Sequence, residues 1–387
     1  MNAQPSSALN SDALNSDAST SDALNSNART WGMHGQEAAV AALQQALASD
    51  RLAHAYLFTG PDGVGKATLA RRLIATLLCE AAPEARPCLE CRACTRVESG
   101  ETPDVERIAV GGVCDEGGPA HRDHATDGST RIRICQVRRL ERVASLTPFQ
   151  APRRIFVIDT ADDLQREAAH ALLKTLEEPP QSVLLIALAT DVDELLPTVR
   201  SRCQEIALRP MPHASLAAAL RERPGIDAAT ADELAVESHG RYGLAVRLHT
   251  DPSMRMLRET AAADAMRLAS AGRNERLDYA ATVAPRWSKE RASVLATLDA
   301  WRWWWRDRLL EASQAPAEVV DGTGTGPRCT PAQAVRALQA LQITREHLLA
   351  NTNPQLALEV LMLDLPVLPA AGPPREEARE TPAPIEA

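Results

Sequence analysis

Two periods of hydrophobic residues divide this chain. Up to about residue 210, short unbroken apolar runs alternate with stretches whose apolar positions recur every three or four residues; beyond it only the second pattern persists. The runs Ala55-Tyr56-Leu57-Phe58, Arg154-Ile155-Phe156-Val157-Ile158 and 182–190 read as strands buried on both faces. Helical spacing marks 36–52 (Val40, Leu43, Leu47), 68–78, the series Ile134, Val137, Leu140 and Val143, and 167–178, which Pro179-Pro180 stops. Strand–helix units with unbroken strands predict a parallel α/β sheet. After Pro210-Met211-Pro212 the reading is all helix. Short helices fill 214–240, Gly240-Arg241-Tyr242-Gly243-Leu244-Ala245 opens another, and a separate helical unit begins near 280. The run Trp301-Arg302-Trp303-Trp304-Trp305-Arg306 cannot lie on one face of a helix. Its rings are divided between a core and a partner surface, or fill one large core with a single ring left out.

Composition adds boundaries. Residues 1–28 repeat Ser-Asp-Ala-Leu-Asn-Ser and lack the apolar surface to offset the entropy of ordering, so a disordered arm is expected there. A Pro-, Glu- and Ala-rich tail over 368–387 is expected to be the same. At 387 residues the chain exceeds one ordinary core, and about two or three domains are expected. The longest apolar run, 183–189, is too short to cross a bilayer, and no charged-then-apolar leader opens the sequence, so a cytoplasmic protein without membrane contact is expected. A net charge of −9 argues against whole-protein attraction to nucleic acid.

The first candidate chemistry follows the Ala55 run: Gly60-Pro61-Asp62-Gly63-Val64-Gly65-Lys66-Ala67-Thr68. Strand, glycine loop, lysine, helix is the order a phosphate cradle requires. Gly60, Gly63 and Gly65 let backbone N–H groups approach an anion, the helix start adds its positive end, and Lys66 supplies a point charge. Position 67 departs from that pattern: Ala67 has no hydroxyl for Mg²⁺, and Thr68 points about 100° away on a helix. Asp159, ending a strand, has the place of the carboxylate that orients Mg²⁺, but Thr160 follows where a water-polarising Glu would stand. Thr190, ending another strand, could bond a γ-phosphate, and Arg241 could reach one from the helical region or be a surface arginine. Trp31 and His34, ahead of the loop, could border a base or simply pack.

Eight cysteines in a cytoplasmic chain favour metal or free thiols over disulfides. Cys79, Cys88, Cys91 and Cys94, spaced C-x8-C-x2-C-x2-C, suit a closed tetrahedral Zn²⁺ knuckle. Residues 111–130 read as a solvated insertion whose Cys114, His121 and His124 could alternatively bind a metal. Cys135, Cys203 and Cys329, like Cys114, read as scattered packing or surface thiols.

The phosphate loop, the cysteine knuckle after its helix, Ala171-Leu172-Leu173-Lys174-Thr175-Leu176-Glu177-Glu178-Pro179-Pro180 and Ser201-Arg202-Cys203 together resemble bacterial DNA polymerase III clamp-loader subunits. His54-Ala55-Tyr56-Leu57-Phe58, Leu146-Thr147-Pro148-Phe149 and Asn353-Pro354-Gln355-Leu356-Ala357-Leu358-Glu359 look most like the delta-prime members. The resemblance implies an AAA+ fold. A RecA-like α/β domain over 29–210 carries the knuckle at 79–94; a small helical lid over 211–270 and an all-α collar over 280–367 follow. It implies a five-subunit ring with delta and gamma/tau type subunits that, charged with ATP, opens a sliding clamp and places it on primed DNA. Arg202 is carried over as a finger that reaches the ATP of a neighbour. Delta-prime members often have degraded nucleotide sites, so this chain's own ATPase activity is expected to be negligible, with ATP or ADP and Mg²⁺ held weakly. The alternative is an ATP-hydrolysing gamma/tau type motor, which predicts Ser or Thr at 67 and Glu at 160.

Overall fold

The computed structural model describes residues 31–114, 124, 129–190, 192–315, 327–350 and 352–369. The arm over 1–28, nearly all of the tail, and most of the 111–130 insertion, His121 included, lie outside these residues. The chain divides after Thr250 into two compact units.

In the first unit the order is α1 (Glu37–Ala48), β1 (Ala55–Thr59), α2 (Lys66–Leu78), α3 (Arg92–Ser99), β2 (Val105–Ile108), α4 (Ile134–Ala144), β3 (Arg154–Ile158), α5 (Arg166–Glu177), β4 (Val183–Ala189), α6 (Pro197–Arg200) and β5 (Gln204–Ala207). The strands form one parallel sheet ordered β2-β3-β4-β1-β5. Every residue of β1 and β4 is buried, as central parallel strands require. Alternate residues feed two cores. Tyr56, Phe58, Leu184 and Ile186 meet Leu43 of α1 and Leu69 and Leu73 of α2 on one face. Leu57, Phe156, Ile158 and Leu185 meet Leu140 of α4 and Leu172 and Leu176 of α5 on the other. The result is a three-layer α/β sandwich, with strands β2 and β5, which the apolar runs did not reveal, at its edges.

Parallel pairing has one consequence for function: all five strands end on the same edge. Thr59 pairs with Ala189, and Ile158 with Ala187. The residues just past these ends, Gly60, Asp159 and Thr190, therefore share the crevice where open α/β sheets bind ligands. Helices α7 (His213–Arg221), α8 (Ala228–Ser238) and α9 (Tyr242–Thr250) complete this unit.

The second unit contains α10 (Pro252–Ser270), α11 (Arg273–Val283), α12 (Arg291–Ala312), α13 (Pro331–Leu349) and α14 (Pro354–Asp364). Helix α10 packs against α12, so the span expected as a lid, 211–270, divides at 250. The tryptophan run also divides. Trp301 and Trp305, one helical turn apart, are buried beside Val294, Leu298 and Leu341. Trp303 and Trp304 are half-buried, with the guanidinium of Arg306 at 5.0 Å from the first ring and that of Arg308 at 5.6 Å from the second. At one corner of this unit the buried Arg276 donates from Nε to Leu268 O at 2.9 Å, and from its two terminal nitrogens to Ala269 O, Met362 O, Leu365 O and Pro366 O at 2.6–3.2 Å.

Candidate functional site

Helix α2 begins two residues earlier than its apolar period suggests, at Lys66, because Gly65 takes φ 116° and turns the chain directly from loop into helix. Gly63 is also left-handed, at φ 79°. Lys66 does not project into open crevice. Its Nζ donates to Gly60 O at 2.5 Å, Pro61 O at 3.2 Å and Thr190 Oγ1 at 3.3 Å. Burial pulls its pKa down, against the opposing charges of Asp62, Asp162 and Asp159.

The two sides of the loop differ in what they offer a metal ion. Ala67 and Asp159 line a common cavity of about 470 Å³ with Arg71 and Arg107, so position 67 does face the end of β3. It presents a methyl group there. Thr68 instead lines a second cleft of about 180 Å³ with Gly65, His34 and Tyr242, which places its hydroxyl on the wrong side to replace the missing ligand. The Asp159 carboxylate is engaged by the Arg107 guanidinium of β2, with Nε 3.1 Å away and a shorter contact from the terminal nitrogen. Thr160 adopts a left-handed φ of 57°, and its hydroxyl bonds the Asp159 carbonyl at 2.6 Å. Thr190 N donates to Asp162 Oδ2 at 3.1 Å. Of the two residues that could border a base, Trp31 is a core residue with no exposed surface, whereas His34 stacks on Tyr242 at 4.7 Å beside the second cleft.

Helix α9 sits directly on the loop. Gly243 N donates to Gly63 O at 2.9 Å, and a Cβ at 243 would come within 2.8 Å of that oxygen. Arg247 meets Asp62 Oδ2 at 2.7 Å. Burial works against ionisation of Asp62, but the hydrogen bond and charge of Arg247, then Lys66 and Arg241, outweigh it and hold the carboxyl below its ordinary range. Arg241 is buried, with Nε on Ser238 O at 2.9 Å and a terminal nitrogen 3.5 Å from Asp62 O. The structure thus brings Gly60, Gly63, Gly65, Lys66, Ala67, Asp159, Thr190 and Arg241 to one crevice. Arg107 and Arg247 join them without any sequence signal beyond their charge. Arg202 stands apart, past α6, where it pairs with Glu177 at 2.7 Å and donates to Thr198 O at 2.9 Å, its side chain 36% exposed.

The four knuckle cysteines converge between α2 and α3. Their sulfurs lie within 4.8 Å of one another, with Cys79 Sγ 3.5 Å from Cys88 Sγ and 4.0 Å from Cys91 Sγ. Zn–S bonds of about 2.3 Å set sulfurs about 3.8 Å apart in a tetrahedron, so this group fits Zn²⁺. Backbone N–H groups of Ala81 and Cys88 point at Cys79 Sγ, and that of Cys91 at Cys88 Sγ, as thiolate ligands need. Bonds led by the Glu80 backbone bring the Cys91 thiol down to about 6, while burial raises that of Cys94. Protein purified without added metal is expected to lose about one Zn²⁺ per chain on Cys91→Ser plus Cys94→Ser substitution. Zinc content by elemental analysis checks this, and the sandwich core should keep its circular dichroism.

Two other cysteines are not scattered. Cys114 and Cys135 come together with His124, all three buried, with donor atoms within 4.8 Å of one another. Cys135 falls between positions of the apolar series and lies 21 residues after Cys114, so neither spacing nor periodicity joins them. Burial pushes the Cys203 thiol up to about 11, and Cys329 Sγ lies 3.7 Å from Arg308 O.

Comparison with known proteins places the first unit. Residues 35–212 match the family described as DNA polymerase III, delta subunit. A DNA polymerase III subunit gamma of Buchnera aphidicola (subsp. Acyrthosiphon pisum) is 33% identical over 169 residues, 44% of this chain and 42% of the relative. The tau subunit of Escherichia coli K12 is 34% identical over 175 residues, 45% of this chain and 24% of the relative. That of Bacillus subtilis 168 is 33% identical over 170 residues, 44% of this chain and 27% of the relative. The chain spans less than half the length of these relatives. No helix among the described residues is long and apolar enough to cross a membrane.

Proposed function

We propose that this chain, whose residues 35–212 match the DNA polymerase III delta-subunit family, is the delta-prime type, stationary subunit of a bacterial DNA polymerase III clamp loader of the AAA+ class. One observation carries the reading: the crevice is short of a Mg²⁺ ligand, since Ala67 offers a methyl group where a hydroxyl is needed, and the Asp159 carboxylate beside it is paired with Arg107. The docking of α9 on Gly63 and Asp62 and the turning of Lys66 onto loop carbonyls support it. The chain then contributes through its neighbours. Its α10–α14 unit serves as the collar that joins a five-subunit ring with delta and gamma/tau type subunits, and Arg202 serves the ATP site of the next subunit. The ring, in the cytoplasm, opens a sliding clamp and loads it on primed DNA.

A second reading, an ATP-hydrolysing subunit of the gamma/tau type, is favoured by one fact: gamma and tau subunits are the relatives found at 33–34% identity. The two readings part in one assay. The isolated chain is expected to turn over ATP far more slowly than about 1 s⁻¹, the low end of ordinary enzymes, and to enter a ring when mixed with a motor subunit. Ordinary turnover by the chain alone establishes the second reading instead. Weak nucleotide binding through Lys66 is compatible with the first.

A further inference from the structure

We propose that Cys114, His124 and Cys135 form a second metal site that takes Zn²⁺, separate from the Cys79–Cys94 knuckle. The three residues come from three stretches of chain. Cys114 lies at the start of the 111–130 insertion shortly after β2, His124 ten residues further into it, and Cys135 in the first turn of α4. Their relative exposures are 0%, 1% and 4%, so two thiols and an imidazole are fully withdrawn from water in one place. All three donor atoms lie within 4.8 Å of one another, and His124 Nε2 is 3.1 Å from Cys135 Sγ. Zn–N bonds of about 2.0 Å and Zn–S bonds of about 2.3 Å separate a tetrahedral N,S pair by about 3.5 Å, which a shift of a few tenths of an ångström reaches.

The donor set selects the metal. Two sulfurs and one imidazole nitrogen are a Zn²⁺ set, too soft for Mg²⁺ or Ca²⁺. Cys135 is also placed to ligate as a thiolate, because the N-terminal turn of an eleven-residue helix stabilises negative charge. Binding would release two protons as the two thiols become thiolates, and neutral His124 would donate through Nε2. Three protein ligands leave one tetrahedral position for water or a further donor. Burial makes the role structural: the ion would tie His124 to α4 and to the segment leaving β2, as the knuckle ties α2 to α3. A simple His124–Cys135 hydrogen bond beside a packed Cys114 is the competing account.

Metal stoichiometry of the full chain, purified under reducing conditions without chelator, separates the two. About two Zn²⁺ per chain are expected, falling to about one in Cys114→Ser plus Cys135→Ser, and to about one, at the other site, in Cys91→Ser plus Cys94→Ser. A wild-type content of one ion that the Cys114→Ser, Cys135→Ser variant leaves unchanged overturns the proposal. Should that variant fail to fold, His124→Ala is titrated with Co²⁺ after chelation of the native metal. Two equivalents in the wild type against one in His124→Ala supports the site; one equivalent in both refutes it. This test does not depend on the function assigned above.

Discussion

Replacing Arg202 with Ala is expected to depress clamp-stimulated ATP hydrolysis by the assembled ring, by much less than the roughly 10³-fold a single site would lose, while the chain itself folds and assembles normally. An arginine supplied in trans is worth about 10³- to 10⁵-fold at a phosphoryl-transfer site, and a ring with several sites dilutes the loss of one. Folding should be indifferent, since the bonds Arg202 makes are a surface ion pair with Glu177 and one bond to Thr198 O, and such exposed pairs are worth about 0–1 kcal/mol. Those bonds also leave the guanidinium partly exposed and free to exchange Glu177 for a phosphate. Arg202→Lys should rescue little, because an ammonium lacks the planar fork that matches a γ-phosphate. Lys66→Ala in the same assay should cost much less, its ammonium being spent on Gly60, Pro61 and Thr190 oxygens. Steady-state ATPase and clamp loading of reconstituted rings measure all three. If Lys66→Ala stops the ring and Arg202→Ala is silent, the chain hydrolyses ATP itself and the delta-prime reading fails.

The sandwich was legible where a signal was local. Strands β1, β3 and β4 are apolar throughout because both faces are covered, and Gly65-Lys66 declares its turn by composition. Edge strands β2 and β5, Val-Glu-Arg-Ile and Gln-Glu-Ile-Ala, show water one side and so carry no unbroken run. The same contrast holds at the site. Ala67 and Thr160 could be read directly, since a missing oxygen is visible in the residue type. That Arg107 occupies Asp159, or that Arg247 meets Asp62, depends on partners 52 and 185 residues away. Spacing found the knuckle because its ligands are close in sequence; Cys114, His124 and Cys135 are brought together by the sheet and by α4, and a thiol in a helical period looks like packing. The division after residue 250 is hidden for a related reason: both sides of it are helix, and packing rather than pattern decides to which unit α10 belongs.

Loss of Arg276 should cost the second unit heavily, and nothing in its neighbourhood of sequence announces it. Its guanidinium collects five carbonyls, from Leu268 and Ala269 near the end of α10 and from Met362, Leu365 and Pro366 at the end of α14. Most are carbonyls of helix C-terminal turns, which lack intrahelical partners, although Ala269 O also accepts from Leu368 N and Leu268 O from Ala271 N, and both helix dipoles turn their negative ends to the cation. Remote ends of the unit, 86 to 90 residues apart, are thereby held at one point. Arg276→Met keeps the apolar stem and removes every donor. Hydrogen bonds to a charged group are worth about 1.5–3 kcal/mol each, and buried carbonyls left unpaired add their own cost, so a loss of at least about 3 kcal/mol is expected after relaxation and water entry recover part of it. Arg276→Lys, with three rotatable donors in place of five fixed ones, should fall between. Because two units need not unfold together, the measurement is amide hydrogen exchange at α10 and α14 rather than a single melting curve. Protection should fall at both helix ends together, with the first unit unaffected. If α10–α14 is the ring's collar, the same variant should lose ring assembly while its isolated α/β unit keeps native exchange. Unchanged protection in Arg276→Met would mean that the α10 and α14 ends are held by apolar packing around Leu268, Leu361 and Leu365 without the guanidinium.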